Sequence, residues 1–138
     1  MRELKELLNV ARRLDEIDEQ IISLKSVAYS PKNQVITGMP RGGKSENPIE
    51  KYVVKIEKLE KRKETLIAYQ LEEWYVMKFK LKKFATDEEI HLMFARFVKG
   101  LSWEKAVNEL NDKFSTDWGI NKAFRVYGKI KKKLKYFE

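Results

Sequence analysis

The sequence predicts an all-α protein with two parts: a long, coiled-coil-like antiparallel helical hairpin at residues 1–84, followed by a C-terminal helix-turn-helix domain at residues 85–138. Charged residues make up 36% of the 138 positions, whereas there are only six Gly and three Pro. That profile is typical of long helices. Apolar residues recur at steps of three and four, and no series of alternating strand patterns is present.

The first predicted helix covers residues 2–28. Its apolar residues share one helical face, as a helix packed on a partner requires. They are Leu4, Leu7, Ala11, Leu14, Ile17, Ile21, Leu24 and Ala28. Residues 29–48 hold all three Pro and three of the six Gly, so we predict a flexible connector there.

The second predicted helix covers residues 49–83. Lys63 and Gln70 interrupt its apolar stripe, which otherwise reads Tyr52, Ile56, Leu59, Leu66, Trp74, Met77 and Leu81. A helix of this length spans roughly 50 Å, so its stripe needs a partner. The first helix is the nearest candidate, and pairing with a second chain would give a homodimer.

Three shorter helices are predicted in the last third. Thr86 and Glu89 form a capping-box pattern that starts the first of them, and Gly100 is placed to end it. Ser102 is the predicted cap of the next helix. Ser115, Thr116 and Asp117 are alternative caps for the final helix. The predicted buried side of that helix is Ile120, Ala123, Phe124, Val126, Tyr127, Ile130 and Leu134.

Residues 38–45, GMPRGGKS, satisfy the G-x-x-x-x-G-K-[ST] pattern of a phosphate-binding loop. Such a loop needs a strand before it and a helix directly after it. Here only Val35 and Ile36 are strongly apolar in the five preceding residues, and Pro48 soon follows the motif. We therefore interpret the stretch as part of the connector. An ATPase is the weakest of the functional alternatives.

Other enzymatic chemistry has little support in the sequence. His91 is the single histidine and there is no Cys, so no usual base is available to activate a nucleophile. Metal-ligand spacing is absent. We predict no catalytic residue, no cofactor and no metal site. Without an 18-residue apolar run or a signal sequence, no membrane partner is expected either.

The net charge of +8 and pI near 9.5 favour a polyanionic partner, most often nucleic acid. Residues 119–138 carry seven Lys/Arg and one acid. The final helix is thus apolar on one side and basic elsewhere, as in a DNA-contacting element. Its basic candidates are Lys122, Arg125, Lys129, Lys132 and Lys133.

The stretch FARFVKGLSWEKA at residues 94–106 resembles the L-R-Y-x-x-G-L-S-W-E-E-I-A signature of phage late transcriptional regulators of the RinA/ArpU type. Their C-terminal part is similar to region four of bacterial sigma factors. The stretch FRVYGKI at residues 124–130 is similar to the end of their recognition helix. The MPRGGK stretch and the long charged helix after it also resemble their connector.

This resemblance implies that Leu101 and Trp103 are structural, that Ser102 is a cap, and that Asn121, Lys122, Arg125 and Lys129 read DNA. It implies double-stranded DNA as the partner and the host bacterial cytoplasm as the location. Host RNA polymerase, or another host protein, is a further candidate partner. Asn can pair with adenine and Arg with guanine, whereas Lys more often contacts phosphate.

The segment from Leu110 to Phe124 is longer than the family's short turn, and it contains Asp112 and Asp117. This departure keeps two alternatives open. One is a phage inhibitor of a host defence nuclease, anti-CRISPR-like, built on the same fold. The other is a DNA-packaging component similar to a small terminase subunit.

Overall fold

The computed structural model describes residues 4–29 and 48–136, and every regular element in these two stretches is helical. The elements in chain order are α1 (Leu4–Ala28), α2 (Pro48–Leu81), α3 (Asp87–Met93), a π-helical turn (Phe94–Val98), α4 (Trp103–Phe114) and α5 (Ile120–Lys135). The predicted all-α class is confirmed. Among the described residues, no helix combines the length and the apolar character needed to cross a membrane.

The predicted connector, residues 29–48, and the GMPRGGKS stretch within it fall almost wholly outside the described residues. The flanking helix ends agree with the sequence to within two residues, since α1 ends at Ala28 and α2 spans Pro48–Leu81. The described residues form two compact units. The first contains the described parts of Met1–Arg12 and Ala68–Glu138, and the second is Arg13–Ile67.

In the second unit, segments of α1 and α2 run in opposite directions. Asp18 pairs with Lys63 at 2.6 Å, and the later residue Lys25 lies 3.9 Å from the earlier residue Glu60. The apolar contacts between the two segments involve Ile17, Ile21, Leu24, Ile56, Leu59 and Leu66. The ion pair to Asp18 explains why Lys63 can interrupt the apolar stripe of α2.

The core of the first unit is formed by the start of α1, the end of α2 and the three C-terminal helices, of which α3, α4 and α5 all contact one another. Its most completely buried large side chains are Leu7, Leu81, Leu92, Met93, Leu110 and Ile130. Every one of these helices therefore contributes at least one fully buried anchor.

The predicted capping box at the start of α3 is present. The Thr86 side chain accepts from the Glu89 backbone N–H at 3.2 Å, and Glu89 Oε1 accepts from the Thr86 N–H at 2.9 Å. Glu89 is only 7% exposed. This bond and a contact from Lys129, 3.5 Å from Oε2, satisfy its buried carboxylate.

Gly100 ends the α3 segment as predicted, and the structure gives two reasons for a glycine. Its φ is +73°, in the left-handed region that other residues avoid. A Cβ at this position would also lie 3.2 Å from the Cβ of Ala11 on α1. The Leu101 N–H closes the turn on the Ala95 carbonyl at 3.2 Å. The next helix, α4, starts at the predicted cap, where Ser102 accepts from the Lys105 N–H.

Gln70 interrupts the stripe of α2 because it has a hydrogen-bonding role in the core. It is 5% exposed, and its Nε2 donates to the Val98 carbonyl at 2.9 Å. Val98 is the last residue of the π-helical turn, in which the carbonyl groups do not make the regular hydrogen bonds of an α-helix. Gln70 thus ties α2 to the turn that leads into α4.

We predict that Gln70→Ala lowers the free energy of unfolding by roughly 1–3 kcal/mol, because the Val98 carbonyl stays buried without its donor. Urea unfolding measures the change. The matched control is Gln20→Ala, the same substitution at an exposed position of α1, for which we expect a change within about 0.5 kcal/mol. Equal effects of the two substitutions would contradict the role given to Gln70.

Candidate nucleic-acid interface

The orientation of α5 follows from its buried face. Ala123, Val126, Ile130 and Leu134 are all at most 8% exposed and belong to the core of the first unit. The prediction was wrong for Ile120 and Phe124, which are 41% and 47% exposed. Both lie beside the buried stripe rather than within it, and Phe124 instead packs its ring on Trp103, with centroids 5.5 Å apart.

Three of the six predicted DNA-contacting residues lie in one row on the opposite face of α5. Asn121, Arg125 and Lys132 are separated by steps of four and seven, so they share a helical face. All three are exposed, and none makes an ion pair or side-chain hydrogen bond within the described stretches. Their polar groups are therefore available to a partner.

The other three predicted residues form a second row at the edge of the buried face, and each already contacts the protein. Lys122 Nζ lies 4.4 Å from the Trp118 ring centroid, and Lys133 Nζ lies 5.6 Å from that of Phe84. Lys129 Nζ lies 3.5 Å from Glu89 Oε2. These contacts position the ammonium groups, while all three lysines stay exposed.

The charge of α5 is of one sign. Its 16 residues contain no Asp or Glu. Its cations are Lys122, Arg125, Lys129, Lys131, Lys132, Lys133 and Lys135. Such a surface attracts a polyanion over distances of about one Debye length, roughly 8 Å at physiological salt.

The segment between the last two helices is shorter than the sequence pattern indicates. Because α4 continues to Phe114, only residues 115–119 separate it from α5. Of the two acids in this region, Asp112 is therefore on α4, whereas Asp117 is in the turn, and both are exposed.

Asn111 builds this turn. Its Oδ1 accepts from the Thr116 hydroxyl at 2.9 Å and from the Trp118 N–H at 2.8 Å, while its Nδ2 donates to the Trp118 carbonyl at 3.0 Å. Ser115 adopts left-handed backbone angles, φ 53° and ψ 44°. The side chain of Asn111 thus replaces the backbone bonds that a regular turn would make.

The three predicted caps of α5 are wrong. The N-cap is Gly119, and it makes no side-chain cap hydrogen bond. Ser115 is occupied as the left-handed residue that ends α4, and Thr116 donates its hydroxyl to Asn111. Asp117 lies two residues before the cap. Sequence reasoning missed Asn111 because its partners come five and seven residues later, beyond the range of capping patterns.

Sequence reasoning also gave no role to Gly128, which lies in the middle of α5. It is three residues after Arg125 and four before Lys132, so it belongs to the row of Asn121. A Cβ built there would meet nothing within 4 Å. The packing of the protein therefore does not require this glycine.

His91 is half-buried between α3 and α4 and hydrogen-bonds to Glu109, with 3.1 Å between Nε2 and Oε2. Lys99 Nζ donates to the other carboxylate oxygen. The hydrogen bond from Lys99 holds the pKa of Glu109 below its usual range. Burial, with the nearby charge of Lys113, lowers the pKa of His91 despite the opposing effect of Glu109. This cluster joins α3 to α4 through side-chain hydrogen bonds.

Within residues 4–29 and 48–136, no three His, Asp or Glu side chains are grouped as a metal site would require. Comparisons with models of protein families, with curated proteins and with solved structures find no match to this chain. The resemblance of residues 94–106 to phage late regulators therefore remains a prediction from the sequence.

We predict that protonation of His91 destabilises the fold. Because its pKa is lowered in the folded chain, the unfolded chain takes up the proton first as the pH falls below the usual value of 6.5. Between about pH 7.5 and about pH 5.5, wild type should lose more free energy of unfolding than His91→Asn, which does not titrate there.

Urea unfolding at each pH measures the difference in free energy of unfolding between wild type and His91→Asn. This difference should narrow toward acid pH. The lowered pKa of Glu109 affects stability mainly near and below its usual value of 4.5, outside most of this window. A gap that stays constant or widens would show that the His91 pKa is not lowered.

Proposed function

We propose that this chain is a phage DNA-binding transcriptional regulator of the late-gene activator type, in which α4 and α5 act as a helix-turn-helix and α5 enters the major groove. The observation that carries the proposal is the row of Asn121, Arg125 and Lys132 on the solvent face of α5, with no partner among the described residues. The mechanism is non-catalytic, and no cofactor takes part.

The geometry of α4 and α5 supports this reading. Their turn of residues 115–119 is one or two residues longer than the usual turn of about three to four. In helix-turn-helix proteins, residues near the start of the second helix contact base edges. Asn121 and Arg125 have these positions, and their side chains can bond two atoms of adenine and of guanine, respectively.

The flanking lysines suit a different task. Lys122, Lys129 and Lys133 are held beside α5 by Trp118, Glu89 and Phe84. An ammonium group in a fixed place neutralises a phosphate without reading a base. Each such contact should contribute about −0.9 to the slope of log affinity against log salt.

The long helices would serve assembly rather than base reading. The opposed ion pairs of Asp18 with Lys63 and of Lys25 with Glu60 support an antiparallel helical hairpin. In the proposed protein this hairpin holds a homodimer or contacts host RNA polymerase. A dimer would place two copies of α5 about one helical turn of DNA apart, roughly 34 Å.

A second candidate, an inhibitor that binds a host defence nuclease, is favoured by one observation. Leu71, Tyr75 and Phe79 recur every four residues along α2 and are 50%, 76% and 68% exposed. An apolar row of this kind is more typical of protein-binding surfaces than of phosphate-binding ones. Weak DNA binding without sequence preference, together with a tight complex with a host nuclease, would favour this candidate.

We predict that Arg125→Ala weakens specific DNA binding by about 1–3 kcal/mol, or roughly five- to 150-fold, if Arg125 pairs with guanine. The preferred duplex is first selected from a random-sequence library. Fluorescence anisotropy then compares it with a scrambled duplex at several salt concentrations. Wild type should prefer the selected duplex about a thousandfold or more.

Arg125→Lys separates base reading from charge, because it keeps the cation and loses the planar fork. It should lose most of the preference while keeping affinity for the scrambled duplex. Lys61→Ala, at an exposed site on α2, is the control for net charge. Failure to select any duplex, or equal losses in Arg125→Ala and Lys61→Ala, would refute the proposal.

We predict opposite effects of Gly128→Ala on stability and on binding. Alanine in a helix interior is favoured over glycine by about 1 kcal/mol, and nothing in the protein obstructs the added methyl group. Thermal unfolding should show a higher Tm, while anisotropy shows weaker binding to the selected duplex, because the methyl group lies where α5 approaches DNA. Unchanged affinity would mean that this face does not dock closely.

A further inference from the structure

A cleft in the first unit combines cations and aromatic rings and has no acid in its lining. Its volume is about 360 Å³, within the range of small-ligand sites. The polar and aromatic side chains that line it are Lys5, Asn9, Arg12, Arg96, Trp103 and Tyr127. Three of these six are cations.

The α1 side of the cleft is a regular row. Lys5, Asn9 and Arg12 are separated by steps of four and three, so they share one face of the helix. All three are exposed, and the described part of the chain offers Lys5 and Arg12 no ion pair. Both cations can therefore turn toward a ligand in the cleft.

The Nε–H group of Arg96 has no hydrogen-bond acceptor within the described stretches. Its Nη1 donates to the Leu101 carbonyl at 2.8 Å, whereas its buried Nε–H has no acceptor among the described residues. Nε and Nη2 together form the edge that grips phosphate or carboxylate oxygens in a two-bond contact. Burial and the neighbouring charge of Arg12 both lower the pKa of Arg96, as expected for a guanidinium without an anion beside it.

The opposite wall is aromatic. The Trp103 ring lies 5.2 Å from Tyr127 and 5.9 Å from Phe97, centroid to centroid, and the Arg96 guanidinium carbon is 5.3 Å from the Trp103 centroid. Trp103 and Tyr127 remain partly exposed. A planar ring carried by an anionic ligand can stack on such a wall.

We infer that this cleft is a phosphate-binding site whose aromatic wall suits a nucleotide. An oxyanion bound by Arg96, Arg12 and Lys5 would supply the acceptor that the Arg96 Nε–H lacks among the described residues, and it would offset the repulsion between the two arginines. A free nucleotide and a nucleotide of a bound DNA strand share this chemistry.

The site is separate from the proposed DNA-reading row. Tyr127 and Arg125 are two residues apart on α5, so their side chains point roughly 160° apart around the helix. The inference therefore does not rest on the proposed function, and the phosphate titration that tests it needs no DNA.

Inorganic phosphate is the first probe, titrated at constant ionic strength against chloride and followed by the NMR signal of the Arg96 Nε–H group. We expect a saturable shift of this signal. Arg12→Gln should weaken the affinity about tenfold, the usual size of one charge-assisted hydrogen bond. The neighbouring Arg13→Gln, also exposed on α1 but absent from the cleft lining, should leave it unchanged.

Deoxyadenosine monophosphate should bind about tenfold or more tightly than phosphate if its base stacks on the wall. Displacement of this nucleotide by duplex DNA would assign the site to a strand phosphate, and retention would assign it to a free nucleotide. Arg125→Ala should bind phosphate with the wild-type affinity. The DNA-binding proposal can therefore fail without affecting the test of the cleft. An unmoved Arg96 signal, or equal losses in Arg12→Gln and Arg13→Gln, would overturn the inference.

Discussion

The burial of one face of α5 against α3 and α4 is the constraint on which the rest of the C-terminal structure depends. Ala123, Ile130 and their neighbours fix the rotation of the helix, and that rotation decides which cations face solvent. A turn of about 100° per residue leaves Asn121, Arg125 and Lys132 directly opposite the core. The basic face is therefore a consequence of apolar packing, and a change in the core would alter the surface as well.

Three local features fix the helices that surround α5. The Thr86–Glu89 capping box starts α3 and gives Lys129 a carboxylate. The left-handed turn at Gly100 allows α1 to approach closely at Ala11. Gln70 satisfies the carbonyl of Val98 at the end of the π-helical turn. Each of them fixes one connection between two helices through a hydrogen bond or a backbone conformation. The apolar contacts supply most of the stabilisation.

Local patterns predicted the helices well because periodicity, capping boxes and glycine stops act within a few residues. The same patterns placed Arg125 on the basic side of α5, opposite the apolar stripe, whereas Asn121 was proposed from the resemblance alone. They could not identify the cap of α5, because Asn111 acts over seven residues and takes Thr116 as a partner. Nor could they find the cleft at Arg96, because its other two cations, Lys5 and Arg12, come from α1, more than eighty positions earlier in the chain.

The central claim is that the solvent face of α5 is where nucleic acid binds. The most direct test is an NMR titration of the full chain with a short duplex, following backbone amides and the side-chain signals of Arg and Asn. The account predicts shifts concentrated at Asn121, Arg125, Gly128 and Lys132, with the lysines of α2 unaffected. Shifts centred on the exposed row of Leu71, Tyr75 and Phe79, or none at all, would contradict it.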